Sequence, residues 1–145
     1  GLICLIFGIE KMSDILHIIP QRPPFVFVDE VSFADEQRAE ICYTITEDCP
    51  LVNNHQLPLA GVLEHVAQSC AARIGYLQST QNEPIRIGYI GAVKKIELKR
   101  IPIVGERLLT KVMLLENVLD ISLLQCDTFI EGELIAQTTL KLALI

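Results

Sequence analysis

Apolar and polar residues alternate along four long segments in the second half of the chain. The segments are RIGYIGAVKKIELK, ERLLTKVMLLEN, DISLLQCDTFIE and ELIAQTTLKLAL, at residues 86–99, 106–117, 120–131 and 133–144. A repeat of two residues predicts β-strands that bury one face. Their connections are too short for parallel crossovers, so the strands are predicted to be mostly antiparallel.

Two further strands are predicted in the first half of the chain. FVFVDEVSFAD (25–35) is rich in β-branched and aromatic residues, and RAEICYTITED (38–48) alternates. Together they predict a hairpin that turns around Asp35 and Glu36. Residues 48–58 contain two prolines and two asparagines without a clear period, so they are predicted to form a loop.

One long helix is predicted over residues 59–78, LAGVLEHVAQSCAARIGYLQ. Its small residues fall on several faces, which suits close packing on more than one side. A short helix is predicted in SDILHIIP, with Ser13 as its N-cap and Pro20 as its stop. One long apolar helix with about six antiparallel strands predicts an α+β fold whose sheet wraps around the helix.

The composition fits one globular domain and narrows its partners. The chain has 145 residues, of which 50% are hydrophobic and 21% charged, so a substantial core is expected. The net charge of −6 argues against nucleic-acid binding, which needs a basic face. The five cysteines form no CxxC pair, so we expect reduced thiols and a cytoplasmic protein.

The first eleven residues are expected to lie outside the functional domain. Their apolar run, Leu2 to Phe7, is too short to span a bilayer and lacks the basic flank and cleavage site of a signal peptide. We therefore expect Met12 to be the initiator and residues 1–11 to be an extension upstream of it. Residues 12–145 are expected to form a single domain that does not associate with membranes.

His55 and Glu64 are the residues with the clearest chemical potential. His55 lies in the predicted loop, and Glu64 lies among apolar residues near the start of the predicted helix. They could act as a base and an acid, because histidine titrates near neutral pH and a lone carboxylate in an apolar setting is costly. Alternatively, His55 is an exposed loop residue, and Glu64, in the first helical turn, offsets the helix dipole.

Several blocks of the sequence resemble one known family. PQRPPFVFVDEV (20–31) resembles the signature PHRYPFLLVDRV of the 3-hydroxyacyl-(acyl-carrier-protein) dehydratases of the FabZ type. PLVNNHQLP (50–58) fits their PFFQGHFP, LEHVAQ (63–68) fits LEALAQ, and residues 91–108 follow GIDEARFKRPVVPGDQL with one insertion. The resemblance implies the hotdog fold, a sheet around a central helix, and a dimer with active sites between subunits.

The resemblance also implies roles for two residues. The family's loop histidine falls on His55, and its catalytic carboxylate falls on Glu64. Dehydration of a 3-hydroxyacyl thioester, carried by acyl carrier protein or coenzyme A, removes a C2 proton and expels hydroxide from C3. This needs a base and an acid on the substrate together. The resemblance implies His55 as the base and Glu64, from the partner subunit, as the acid.

Two residues near Glu64 complete the expected site. Gly61 or one of its neighbours could direct a free backbone N–H of the helix N-terminus at the thioester oxygen. Gln68 follows Glu64 by one helical turn and is expected to hydrogen-bond it. No residues have metal-ligand spacing and no Gly-rich phosphate loop is present, so we expect neither a metal nor a cofactor.

The loop before the helix departs from the FabZ pattern. It is shorter, and the family's Gly-His-Phe becomes Asn54-His55-Gln56. In this respect the chain resembles a divergent branch of dehydratase-like hotdog proteins linked to aryl-polyene and flexirubin-type pigment synthesis. Two alternative functions stay open: a hotdog thioesterase whose helix carboxylate activates water, and a non-catalytic subunit that binds acyl chains or completes a heterodimer.

Other polar residues are expected to be structural. His65 lies about 100° around the helix from Glu64, so it is interpreted as a packing or interface residue. Cys70, among alanines, is interpreted as an inert buried thiol. Arg22 and Asp29 are expected to orient the segment before the first strand.

The run KKIELKR concentrates basic charge in an otherwise acidic protein. Its cations could form a docking patch for an acidic acyl carrier protein. They could equally belong to a solvated strand edge that lysines protect from aggregation. The residues concerned are Lys94, Lys95, Lys99 and Arg100.

Overall fold

The computed structural model of the protein describes residues 15–84, 86 and 88–144, and this part of the chain contains six strands and one long helix. No helix among the described residues is both long and apolar enough to span a membrane. The elements are β1 (Glu30–Ala34), β2 (Arg38–Thr44), α1 (Leu59–Thr80), β3 (Gly88–Leu98), β4 (Arg107–Val118), β5 (Ile121–Ile130) and β6 (Glu133–Leu144).

The strands form one antiparallel sheet in the order β1-β2-β4-β5-β6-β3. All four alternating segments of the second half are confirmed as strands, with β3 at a free edge beside β6. The predicted hairpin is also confirmed, because β1 pairs with β2 in the antiparallel sense. In the turn between them, the Asp35 carboxylate accepts the backbone N–H groups of Gln37 and Arg38, each at 2.8 Å. The predicted α+β architecture is therefore correct.

The segment before β1 differs from its prediction. β1 begins at Glu30, so residues 25–29 of the predicted strand lie outside the sheet. In the described part of the predicted first helix, Ile15 is helical and residues 16–18 form a turn, in which the Ile18 N–H donates to the Ile15 carbonyl at 3.1 Å. Three further predictions lie outside the described residues: the cap at Ser13, the start at Met12 and the extension over 1–11.

Helix α1 is buried on more than one side, as its small residues predicted. One side faces the sheet, where His65 contacts Thr110 of β4. On a different side lies the N-terminal segment, the described residues 15–29 before β1. It is so close that a Cβ at Gly75 would come within 2.1 Å of the Ile18 carbonyl oxygen. The helix is thus enclosed by the sheet and the N-terminal segment, which is the hotdog fold that the family resemblance implied.

His65 connects α1 to both of these layers through hydrogen bonds. Its Nδ1 lies 2.7 Å from the Phe27 carbonyl oxygen, which can only accept, so Nδ1 carries the proton. Nε2 then accepts from the Thr110 hydroxyl at 2.8 Å, and Thr110 lies 2.8 Å from the Thr128 hydroxyl. Burial lowers the pKa of His65 to about 4, so the imidazole is neutral at neutral pH. His65 is confirmed as a packing residue.

The buried His65 predicts a pH dependence of stability. In the unfolded chain its pKa is near 6.5, whereas burial holds the folded value at about 4. Between these values the unfolded state binds more protons, so the free energy of unfolding should decrease as the pH falls from 6.5 to 4. We expect urea unfolding to show a smaller pH slope in His65→Gln than in the wild type.

Ser69→Ala is the matched control, because Ser69 is buried on the same helix and donates to the His65 carbonyl but does not titrate in this window. This variant should keep the wild-type slope. Equal slopes in the wild type and His65→Gln would show that His65 does not set this dependence.

Candidate functional site

The N-terminus of α1 is packed through backbone and small residues, without a side-chain cap. Pro58 is the N-cap, and its carbonyl accepts the N–H groups of Gly61 at 2.9 Å and Val62 at 3.1 Å. Gly61 is needed for packing, since a Cβ there would lie 2.2 Å from the Cδ1 of the fully buried Leu57. The predicted thioester donor is therefore not the Gly61 N–H, which is occupied.

Glu64 is not the helix-capping carboxylate of the alternative reading. It is the sixth residue of α1, so it lies in the second turn, and the first turn contains no acidic residue. Ala60, Glu64 and Gln68 follow one another at four-residue spacing and therefore share one face of the helix. Burial increases along this face, because Ala60 is exposed, Glu64 is half-buried and Gln68 is fully buried.

The Gln68 side chain holds Glu64 in place. Its Nε2 donates to the Glu64 Oε2 at 2.9 Å and to the Phe25 carbonyl at 3.0 Å, while its Oε1 accepts the Phe27 N–H at 2.7 Å. The predicted hydrogen bond between Gln68 and Glu64 is thus confirmed. The Glu64 Oε1 has no partner among the described residues, so one carboxylate oxygen is fixed and the other is available.

Helix side chains also satisfy both backbone groups of Phe27. Gln68 accepts its N–H, and His65 donates to its carbonyl. Phe27 is buried and lies outside any strand, so these groups would otherwise lack partners. The segment before β1 is therefore joined to α1 by two polar side chains one turn apart.

His55 lies in a tight turn that brings it to the surface. Asn53 and Gln56 exchange backbone hydrogen bonds of 2.9 and 3.0 Å, and the two residues between them have φ angles of 52° (Asn54) and 65° (His55). Positive φ at both central positions is typical of a type I′ turn, which favours Asn or Gly. A bridge from Gln56 to Ile103 anchors this turn. The predicted loop is therefore ordered, and Asn54 adopts the conformation that suits the family's glycine.

His55 contacts Glu47 within the chain. Its Nδ1 lies 3.0 Å from the Glu47 Oε2, and both side chains are mostly exposed. Exposed ion pairs of this kind contribute about 0–1 kcal/mol, so His55 can leave this partner at little cost. No hydrogen bond or ion pair joins His55 to Glu64 within the described chain.

Large apolar side chains are exposed around the start of α1. Leu59 begins the helix, Phe25 adjoins the Gln68 hydrogen bonds, and Ile103 pairs with the His55 turn. These three side chains are 42%, 57% and 40% exposed, respectively. Grouped exposed apolar residues mark a contact surface, which here suits an acyl chain or a partner subunit.

The basic run is divided by the structure. The Arg100 Nη1 lies 3.0 Å from the Glu106 Oε1, and this hydrogen bond lowers the pKa of Glu106. Arg100 is therefore held by an ion pair within the chain, and its part in the docking patch stays a prediction. Lys94 and Lys95 are exposed on the edge strand β3, as the protected-edge reading expects. Docking of a carrier by these lysines and the exposed Lys99 stays a prediction.

The remaining structural assignments agree with the contacts. The Arg22 guanidinium donates to the Ile19 carbonyl at 2.9 Å, and the Asp29 carboxylate accepts the Thr44 N–H at 2.7 Å. Cys70 is fully buried, as predicted. In the described part of the chain, no group of three or more histidine, cysteine or acidic side chains is arranged to hold a metal.

Three residues that support His65 or His55 were not predicted from the sequence. Thr110 and Thr128 support His65, and each is a buried hydroxyl on an inward-facing strand position. A threonine in phase with buried apolar residues is a sequence signal for such a partner. Glu47, the partner of His55, carries no comparable signal, because it precedes an irregular loop.

The amino-acid sequence of the chain is similar to those of known dehydratases. The model of the ApeP-like family, described as ApeP dehydratase, matches residues 13–144. The 3-hydroxyacyl-(acyl-carrier-protein) dehydratase FabZ of Clostridium kluyveri is 27% identical over 114 residues, which is 76% of each chain. FabZ of Deinococcus radiodurans is 28% identical over 100 residues, or 67% of this chain and 68% of that protein.

Among solved structures, the fold is similar to a chain of the dehydratase heterocomplex ApeI:P from Xenorhabdus doucetiae. The TM-score is 0.84 with 16% sequence identity, and the match covers 90% of both chains. The likeness therefore extends over nearly the whole domain.

The Gln68 hydrogen bonds predict that an isosteric apolar substitution lowers the folding stability strongly. Gln68→Met keeps the side-chain volume but leaves the buried Phe27 N–H without its acceptor and the Phe25 carbonyl without its donor. We expect the free energy of unfolding in urea to fall by about 2 kcal/mol or more, because each unsatisfied buried group costs about 1–3 kcal/mol.

Gln78→Met is the control for this substitution. Gln78 is also buried on α1, but among the described residues its Oε1 accepts a single backbone N–H, that of the exposed Arg86, in a part-buried bond. We expect a smaller loss of stability in this variant. Equal losses in the two variants would contradict the role assigned to Gln68.

Proposed function

The chain belongs to the ApeP-like dehydratase family, and on that premise we propose that it converts a 3-hydroxyacyl thioester into the trans-2-enoyl thioester and water. The observation that carries this proposal is the carboxylate of Glu64. It is half-buried, fixed at one oxygen by Gln68 and available at the other. The curated FabZ relatives, which share the substrate class named here, support the choice of substrate.

The reaction needs two proton transfers on one substrate. The C2–H and C3–O bonds break, a C2=C3 double bond forms, and the hydroxyl leaves as water after it receives a proton. A base removes the C2 proton, an acid protonates the C3 oxygen, and charge develops on the thioester oxygen. We assign the acid to Glu64, because its fixed position lets the available oxygen, Oε1, meet the C3 hydroxyl.

A backbone amide of the α1 N-terminus would stabilise the thioester oxygen. The Gly61 N–H donates to Pro58, which leaves the exposed first residues of the helix, Leu59 and Ala60, as candidate donors. Ala60 lies one turn before Glu64 on the same face, so a substrate there would contact both groups. The helix dipole adds positive potential at this end, which favours the developing negative charge.

We assign the base to His55 of a second subunit. Within one chain, His55 pairs with Glu47, and this weak surface contact leaves the imidazole available to a neighbouring protomer. His55 also holds a left-handed φ of 65°, which costs about 1 kcal/mol or more in a residue other than glycine. Such strain is found at functional sites, and it supports a role for the turn in presenting the imidazole.

The partner subunit would be a second copy of the chain, in a homodimer or a higher even oligomer. The free edge of β3, with Val93 and Ile96 partly exposed, supports association at this side of the sheet. We place the reaction in the cytoplasm, in the synthesis of fatty-acid or polyene-type lipids. The free thiols of the four described cysteines agree with a reducing compartment.

One specific observation favours a second candidate function. His55 is bound to Glu47 and not to Glu64, so the chain could instead be a non-catalytic acyl-binding subunit whose partner, a different protein, supplies the chemistry. The heterocomplex ApeI:P shows that a related fold occurs in a complex of two different chains. The assay below separates this function, and a thioesterase, from dehydration.

An assay with a 3-hydroxyacyl thioester tests the reaction class. We expect the purified protein to form enoyl thioester, followed by absorbance, without release of free thiol. Glu64→Gln should lower the rate about a hundredfold or more, because a positioned general acid contributes about 10²–10⁴-fold. The matched control is Glu47→Gln, which releases His55 from its surface partner and should keep most of the activity.

Three results would contradict this prediction. Release of thiol by the wild type would indicate a thioesterase, and neither product would indicate an acyl-binding subunit. Full activity in Glu64→Gln would remove Glu64 from the mechanism.

Subunit complementation tests whether the site is shared. We expect His55→Ala and Glu64→Gln chains to be nearly inactive alone and to regain part of the wild-type rate when they are refolded together. A mixed dimer contains one site in which both residues are intact, because its histidine and its glutamate come from different chains.

The control replaces the His55→Ala chain with a His55→Ala/Glu64→Gln chain, which cannot supply an intact Glu64. No recovery should occur in that mixture. Mixed dimers that are present by native mass spectrometry but inactive would contradict a shared site, and undiminished activity of His55→Ala alone would remove His55 from the mechanism.

A further inference from the structure

A cavity lies away from Glu64, at the C-terminal half of α1. Its volume is about 700 Å³, and it opens between this helix, the β1–β2 turn and the β4–β5 hairpin. Arg73 lines it from the helix. Arg73 follows Glu64 by nine residues, about two and a half helical turns, so the two side chains leave α1 on opposite faces.

Arg73 is a buried cation that forms no ion pair with any carboxylate of the described residues. Its side chain is 3% exposed, and its Nη2 donates to the Glu36 carbonyl at 2.7 Å. Its Nε is buried with no hydrogen-bond partner, and no described carboxylate lies within ion-pair distance of the guanidinium. Burial lowers the pKa of Arg73, yet arginine remains charged in proteins. An unmatched buried charge is costly unless a ligand completes it.

We propose that this cavity binds an amphipathic monocarboxylate, of the class of free medium-chain fatty acids, with its carboxylate on the Arg73 guanidinium. A planar carboxylate matches the guanidinium in two parallel hydrogen bonds and would supply the missing acceptor for Nε. A cavity of this volume lies within the usual range of small-molecule sites.

The cavity lining combines polar residues with a smaller set of apolar ones that could contact an acyl chain. Apolar side chains from α1, the β4–β5 hairpin and the end of β6 line part of the cavity, and one of them, Leu119, is 93% exposed. An acyl chain would cover these side chains. The carboxylates of Glu36, Glu83 and Asp120 also line the cavity, and their repulsion disfavours a phosphate dianion more than a monocarboxylate. The apolar members are Ile74, Leu77, Leu114, Leu119 and Leu144.

This inference does not depend on the proposed dehydration. The acyl thioester would react at the start of α1, whereas the monocarboxylate would bind between the second half of the helix and the two hairpin turns. Loss of one activity therefore does not imply loss of the other, and the two can be measured separately.

Calorimetric titration with sodium octanoate tests the site. We expect octanoate to bind more tightly than octanol, which has the same chain without the carboxylate, and more tightly than inorganic phosphate. In NMR spectra, the amide signals of Gln37 and Ser122 should shift on addition of octanoate, while those near Phe27 and Glu64 should not. Octanoate binding should be unchanged in Glu64→Gln.

Substitutions at the cavity complete the test. Arg73→Met keeps the aliphatic stem and should weaken octanoate binding about tenfold or more, since a charged hydrogen-bonded pair is lost. The matched control, Arg38→Met, removes an exposed arginine and should bind like the wild type. If Arg73→Met does not fold, Leu119→Gln, at a highly exposed position, should still weaken binding by removing apolar contact.

Four results would overturn the proposal. These are no binding of octanoate, binding no tighter than that of octanol or phosphate, amide shifts confined to the region of Phe27 and Glu64, and wild-type affinity in both Arg73→Met and Leu119→Gln.

Discussion

The buried backbone of Phe27 is the constraint on which the site depends. This residue lies in the core but outside the sheet, so no neighbouring strand satisfies its N–H and carbonyl groups. Gln68 and His65 do so instead, from consecutive turns of α1. A helix in an apolar core must therefore keep two polar side chains at fixed positions, and each needs further partners because an unsatisfied buried group is costly. The Thr110 hydroxyl donates to the second ring nitrogen of His65, and the Glu64 carboxylate accepts from the Gln68 amide.

The candidate chemistry follows from that requirement. Gln68 uses one N–H on the Phe25 carbonyl and the other on Glu64, so the group that closes the N-terminal segment onto the helix also orients the carboxylate. His55, in contrast, is presented by a tight surface turn and pairs with Glu47. Glu64 is thus positioned by the fold of one chain, whereas the proposed role of His55 requires a neighbouring subunit. A dehydratase whose base and acid come from different subunits fits this difference.

The sequence predicts the parts of this structure that depend on local pattern. The four alternating segments became strands, and the small residues of α1 indicated its two-sided burial, because periodicity reports burial directly. The pairing of Gln68 with Glu64 was predictable from their spacing of one helical turn. The resemblance to the FabZ type aligned the family's carboxylate with Glu64, which lies on that helix. Residues 25–29 were predicted as strand because their composition suits one, but the Phe25 carbonyl and both backbone groups of Phe27 bond to side chains of α1 instead of a strand.

Other features depend on long-range contacts that no local pattern contains. The support of His65 by Thr110 and Thr128 requires the register of β4 against β5, and the ion pair of Arg100 requires the loop that carries Glu106. The site itself is tested most directly by a structure with an unreactive 3-hydroxyacyl thioester analogue bound. We expect the Glu64 Oε1 to lie within about 3 Å of the C3 oxygen, with Gln68 still bound to Oε2. An analogue bound elsewhere, with Glu64 turned away from it, would contradict the assignment of Glu64 as the acid.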